Sequence, residues 1–287
     1  MGLMNLGRRG PAAAALVGAL LTVFAMTAAA RPAPSPKLKS SSVLIVDPSD
    51  SSVLYSRNSD VAAPIASITK LMTALVVLDA RQPMTEQLEI TQAETDLPKT
   101  NVSRLTVGTV LTRGELLHLA LMASENRAAH ALATYYPGGV PAVVRAMNAK
   151  ARALGMTNAH FDDPTGLSSD NVASPEDLAK LVIAASHNAT IREYSTDKSY
   201  TVRVHRHLVE FHNTDNLVAN PTWNIIVQKT GYISEAGKCL VMEAVIEGRS
   251  VVIVLLDSLG KYTRVADAKR VKSWMESLRT ERVVSMR

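Results

Sequence analysis

The hydrophobic repeat of this chain changes period twice, and that alternation limits the fold more than any single residue does. Two short β-like runs, residues 42–46 and 53–55, come first, joined by residues 47–51 (DPSDS), which suit a hairpin turn. From Ser67 the apolar residues recur at helical spacing, with Leu71, Leu75 and Leu78 on one face. Helical stripes then run from about Arg113 to His187 through residues 115–122, 126–135, 141–154 and 175–185. The last of these opens with Ser174 as N-cap, Pro175 at the first helical position and acids behind it. The period returns to two in residues 200–204, 225–229, 240–246 and 251–256, with Glu247-Gly248-Arg249 linking the last pair. An amphipathic helix over residues 262–278 follows. Strands at both ends with helices between them predict an α+β fold: a single antiparallel sheet flanked by helices, with an inserted all-helical lobe.

Residues 1–30 do not read as part of that fold. Arg8 and Arg9 form a basic start, and residues 11–30 are an almost unbroken run of Ala, Leu, Val, Met and Phe. Ala28-Ala29-Ala30 supplies the small side chains that a signal peptidase accepts, so 1–30 reads as a signal peptide. An uncleaved membrane anchor is the alternative, since about 20 apolar residues just span a bilayer. The alanine-rich end favours cleavage, while the arginine pair leaves the general and twin-arginine export routes both open. Residues 31–41, rich in Pro, Ser and Lys, read as a linker, and 42–287 as the folded part.

Removing 1–30 takes away two arginines and no acids, so the formal charge of +5 falls to +3. Basic residues are interspersed with acids, and aromatics make up only 4% of the chain. The basic stripe or stacking aromatics of a nucleic-acid binder are therefore missing. Mild basicity suits an anionic polymer as partner and an ordinary solvated surface equally well. Cys239 is the sole cysteine, which rules out an internal disulfide, and its apolar neighbours mark it as a core residue.

Ser67-Ile68-Thr69-Lys70 opens the first strong helix just after Pro64. As a plain N-cap, Ser67 would be followed by an acid three residues on, as in a capping box. A lysine stands there instead, against the positive end of the helix dipole. Residues at i and i+3 share a helix face, so the Lys70 amine reaches the Ser67 hydroxyl. The dipole and partial burial lower the lysine pKa, and a neutral amine can then take the serine proton. Backbone N–H groups at the same helix end suit an oxyanion. The pattern alone does not choose this site, because Ser195–Lys198 and Ser258–Lys261 match it too; only Ser67 opens an apolar helix.

Two further short motifs follow in order. Ser124-Glu125-Asn126 sits at a corner between helical segments, where it reads either as an N-cap or as a pair of side chains held over a cleft. Two other S-x-N triplets, at Ser56 and Ser169, lie in less favourable settings. Lys229-Thr230-Gly231 follows the apolar residues 225–227, and it reads either as a strand ending in a glycine turn or as an exposed inner strand facing the nucleophile. There a cation and a hydroxyl would meet a substrate carboxylate, and Gly231 would let the backbone come close. His205 and His207, with His212 near, lack the accompanying ligands of a metal site, and no cofactor is expected.

Taken together, S-x-x-K at Ser67, S-x-N at Ser124 and K-T-G at Lys229 resemble the penicillin-recognising serine enzymes. Residues 122–139 (MASENRAAHALATYYPGG), 161–167 (FDDPTGL) and 212–216 (HNTDN) are similar to low-molecular-mass penicillin-binding proteins, most of all to their D-alanyl-D-alanine endopeptidase subgroup. The resemblance implies a DD-peptidase/β-lactamase-like fold over residues 42–287, and a periplasmic enzyme acting on peptidoglycan stem peptides. β-Lactam antibiotics would be covalent inhibitors, and any membrane association would be peripheral. It further implies that Ser67 is acylated by a D-alanyl carbonyl with Lys70 as general base, and that Ser124 relays the proton to the leaving amine. Asn126 would bind the substrate amide, Lys229 and Thr230 its terminal carboxylate, and the N–H groups of Ser67 and Tyr232 would form the oxyanion hole beside Gly231. Three alternatives accompany the endopeptidase reading. A D-alanyl-D-alanine carboxypeptidase would use the same residues. A serine β-lactamase would need a glutamate-held water, and Glu176 is better explained as first-turn helix chemistry. A catalytically inactive wall-binding module would not need the intact set.

Overall fold

The computed structural model describes residues 35–97 and 103–285. The expected signal peptide falls outside the described residues. Strands β1 (Ser40–Val46) and β2 (Val53–Arg57) form the expected hairpin, followed by the two-residue β3 (Ala63–Pro64) and helix α1 (Thr69–Asp79). The lobe comprises β4 (Gln87–Glu89), α2 (Gln92–Thr95), β5 (Val110–Thr112), α3 (Arg113–Met122), α4 (Asn126–Thr134) and α5 (Gly139–Ala153). After β6 (Val172–Ala173) come α6 (Pro175–Ser186), α7 (Ala189–Thr196), β7 (Ser199–Val204) and β8 (His207–His212). Strands β9 (Asn224–Ile233), β10 (Gly237–Ile246) and β11 (Arg249–Ser258) then lead into α8 (Thr263–Ser285).

The main sheet has the order β2-β1-β11-β10-β9, with every neighbour antiparallel. Its inner strands are apolar on both faces because both faces are covered. Val43, Ile45, Met242, Ile253 and Leu255 pack with Ala268 and Val271 of α8. Leu44, Val241, Val252 and Val254 point the other way, into the core shared with α1, α6 and the helical lobe. Alternation of side chains across the pleat makes one strand serve two cores.

Two expectations need correction. The hairpin β7–β8 pairs only with itself and does not join the main sheet. Its strands bury one residue in two at most, as Val202, Val204 and Phe211 do, and the polar remainder could not enter a sheet covered on both sides. The second correction concerns the linker expected over 31–41. Leu38 is buried in the core beneath α8, and β1 begins at Ser40, which is fully buried.

Asp267 of α8 makes that attachment. Its Oδ2 accepts from the backbone N–H of Lys39 (2.9 Å) and of Ser40 (2.7 Å) and from the Ser40 hydroxyl (2.7 Å), while Oδ1 pairs with Arg270. The Ser40 hydroxyl also meets that of Ser258 at 2.6 Å. Removing the carboxylate would leave buried donors unmet, at about 1–3 kcal/mol each. Asp267→Ala should therefore lower stability by about 2–4 kcal/mol, read as a fall in the urea midpoint without a change in slope.

Candidate active site

The chain reaches Ser67 through a short 3-10 turn, Ala66–Ile68, that runs directly into α1. Ser67 is therefore not a capping residue: the N-cap position of α1 is Ile68, and no side chain caps it. Ala66 has φ +49°, a left-handed conformation that is strained for a residue with a Cβ. Two glycines clamp the turn. A Cβ on Gly166, itself at φ +84°, would lie 2.0 Å from the Ala66 carbonyl oxygen. A Cβ on Gly231 would lie 2.9 Å from the Ile65 oxygen and 3.2 Å from the Ser67 nitrogen. Only residues without side chains let both strands of backbone come this close.

Lys70 lies one turn on, and its burial is complete rather than partial. Its Nζ is 2.9 Å from Ser67 Oγ, 2.7 Å from Asn126 Oδ1 and 2.6 Å from the Thr165 carbonyl oxygen. Burial is the main reason its pKa falls from 10.5 to about 7, opposed by the charges of Asp163 and Glu125. The three contacts define what the neutral amine would do. Asn126 Oδ1 and Thr165 O can only accept, so they use its two N–H groups. The lone pair is left for Ser67, the one partner that can donate.

Residues 161–171 hold the Thr165 carbonyl in place. Asp163 accepts from the N–H groups of Thr165 (2.5 Å), Gly166 (2.9 Å) and Ser168 (2.8 Å). Buried Asn171 accepts from Asp162 N and Asp163 N and donates to Thr69 Oγ1 at 3.1 Å, tying the loop to the start of α1.

Ser124 occupies the corner between α3 and α4, with φ +58°. It is not the cap of α4, since Glu125 holds that position. Its Oγ meets Lys229 Nζ at 2.8 Å, across from β9. Lys229 and Thr230 lie inside β9, which continues through Gly231 and Tyr232 to Ile233. The motif thus does not end its strand, and it stands on an edge strand of the sheet with both side chains buried. Burial, then the nearby charges of Lys70 and Arg264, push the Lys229 pKa well down. Thr230 Oγ1 is 2.6 Å from Thr214 Oγ1, and Tyr232 is exposed, with Lys238 Nζ 4.0 Å over its ring.

Ser67, Ser124, Asn126, Thr230, Gly231 and Tyr232 all line one cleft of about 750 Å³, with Lys70 and Lys229 buried behind it. The other S-x-x-K matches are elsewhere. Ser195 lies in the last turn of α7 and is buried, and Ser258 ends β11 against Ser40. His205 sits in the turn before β8, with φ +52°, and no group of metal-ligating side chains occurs among the described residues. Cys239 is a buried core residue whose thiol pKa burial raises to about 11.

Sequence reasoning missed Arg264, whose Nη1 donates to the carbonyls of Gly231 (2.8 Å) and Cys239 (3.1 Å) at the cleft wall. An arginine in an amphipathic helix carries no local signal. Asp163, Thr165 and Thr214 were visible only within the runs 161–167 and 212–216.

Comparison with known proteins agrees with this geometry. Residues 26–260 match the family described as D-alanyl-D-alanine carboxypeptidase. A D-alanyl-D-alanine endopeptidase of Pseudomonas aeruginosa is 48% identical over 243 residues, which is 84% of this chain and 78% of that protein. One of Escherichia coli is 46% identical over 255 residues, 88% and 82% of the two chains. The Streptomyces K15 DD-transpeptidase superposes with a TM-score of 0.78 at 29% identity, covering 84% of this chain and 98% of its own. With a match across most of the folded part and a serine–lysine pair at the cleft, the chain belongs to the D-alanyl-D-alanine carboxypeptidase family of serine peptidases.

Proposed function

We propose that this protein is a periplasmic endopeptidase that cleaves D-alanyl cross-links of peptidoglycan through an acyl-enzyme on Ser67. The contact between Ser67 Oγ and a buried amine whose other two partners are pure acceptors carries the reading. Lys70 takes the Ser67 proton as Oγ adds to the D-alanyl carbonyl, and the N–H groups of Ser67 and Tyr232 receive the oxyanion. Ser124, held by Lys229, passes a proton to the leaving amine. Asn126 both orients Lys70 and meets the substrate amide. Lys229, Thr230 and Arg264 give the leaving-group carboxylate a cationic wall, and water then releases the acyl chain. The chemistry requires no metal or cofactor. Identity of 46–48% to proteins named endopeptidases favours cross-links over terminal D-alanine, the carboxypeptidase alternative.

Ser67→Ala should abolish labelling by a fluorescent penicillin while its circular dichroism matches wild type; persistent labelling would refute the nucleophile assignment. The active form of Lys70 is neutral and its pKa is about 7, so protonation must switch acylation off at low pH. The second-order acylation rate should climb about tenfold per pH unit below that value and level off above it. Lys70→Ala should cost about 100-fold or more. Digestion of purified muropeptides should consume cross-linked dimers; loss of pentapeptides alone would establish the carboxypeptidase instead.

A further inference from the structure

The wall of the cleft opposite β9 carries a cation that the reaction described above does not use. Arg104 lies between β4 and β5 in sequence and lines the cleft together with Ser67 and Ser124. Both of its neighbours are tied to the turn that carries Ser124. Ser103 donates its hydroxyl to Glu125 and accepts from Leu105 N at 3.0 Å. The Leu105 carbonyl in turn accepts from Arg127 Nη1 at 2.6 Å. The backbone at Arg104 is therefore fixed relative to the nucleophile's partners.

The exposed side chain has one ring to rest on. Its guanidinium carbon stands 4.0 Å from the ring centroid of Phe211, a buried β8 residue at the cleft. Stacking of this kind occupies the face of the planar cation and leaves its edge N–H groups open. Among the described residues no carboxylate pairs with Arg104. Residues 98–102 (PKTNV) contain no acid either. The nearby Glu125 carboxylate is engaged by Ser103. A guanidinium edge open at the cleft matches carboxylate or phosphate through two parallel hydrogen bonds, and of these a peptide substrate carries the carboxylate.

We propose that Arg104 binds a free carboxylate of the acyl-donor strand, upstream of the D-alanine whose carbonyl Ser67 attacks. The inference rests on the DD-peptidase reading, in which Lys229, Thr230 and Arg264 already take the leaving-group carboxylate. The cleft then has two cationic poles, one on each side of the scissile bond. Its preferred substrate is a cross-link whose donor stem keeps its carboxylates free and not amidated.

The test compares two synthetic cross-linked peptide dimers, identical except that the donor-strand carboxylates of one are converted to carboxamides. Arg104→Ala should raise KM for the carboxylate dimer about tenfold and leave kcat unchanged, the loss of one charge-assisted pair. The amidated dimer should be cleaved equally by both proteins. Labelling by a fluorescent penicillin, whose single carboxylate belongs to the leaving-group side, should also be equal. A KM unaffected by the substitution, or a loss of the same size on the amidated dimer, would overturn the proposal. Wild-type protein that neither labels nor cleaves either dimer would instead overturn the DD-peptidase reading itself, and this inference would fall with it.

Discussion

Everything in the cleft depends on keeping the Lys70 amine dry. An exposed lysine stays protonated and is useless as a base, and displacement of its pKa from 10.5 to about 7 is worth roughly 5 kcal/mol against the ammonium. That free energy comes from removing water, so the amine must be closed in on every side. The enclosure is built from distant parts of the sequence: Ser67 from the turn before its helix, Asn126 from the lobe, and Thr165 from the loop before β6. Two of those partners are also acceptors, which prevents the buried amine from being an unmet polar group. Asp163 and Glu125 hold the shift in check, so that the pKa stops near neutrality.

Closing this enclosure concentrates strain at the same place. Ala66 and Ser124, the residues that bring the two hydroxyls into position, both carry left-handed backbone without being glycine. Such conformations cost about 1–3 kcal/mol each and persist only where surrounding structure over-determines them. Around Ala66 the over-determination is visible: Gly166 and Gly231 press on the turn from opposite elements, and Thr69 Oγ1 donates to the Ala66 carbonyl at 2.7 Å. The sheet and the lobe thus do more than carry one motif each. The fit between them holds Ala66 and Ser124 in conformations that neither would adopt alone.

This explains which parts of the molecule were legible in the sequence. Periodicity revealed the sheet and lobe because α4, α5 and α6 each bury a stripe, α1 and α3 are buried almost all round, and the middles of β10 and β11 are apolar. It misjudged β7–β8, since two-residue alternation does not say which sheet a strand joins. Ser67, Lys70, Ser124, Asn126 and Lys229 could be picked out by motif and order, and all converge on one place. Their local readings were less accurate. Ser67 was expected to open its helix, whereas it sits in the 3-10 turn before it; Ser124 is at the expected corner between helices, but in a left-handed conformation that no local pattern announces. Arg264, and the part that Thr165 plays within its run, were out of reach because they are a long-range side-chain contact and a backbone carbonyl, which no local pattern encodes.

The cleft is left electrostatically incomplete. Lys229 feels the charges of Lys70 and Arg264, and each of these three cations has been pushed towards neutrality first of all by its own burial. Lys229 and Arg264, so placed, gain from an anion that enters between them. A carboxylate entering beside Lys229 and Arg264 would offset part of that desolvation and repulsion and favour the ammonium form of Lys229. Lys70, by contrast, is walled off by its acceptors and needs to stay neutral to act. Separation of the two lysines by Ser67 and Ser124 then acquires a reason. In the proposed reaction it would let one amine hold a substrate carboxylate as an ammonium while the other stays neutral as a base, so that two buried lysines of one cleft could serve opposite ends of the same step.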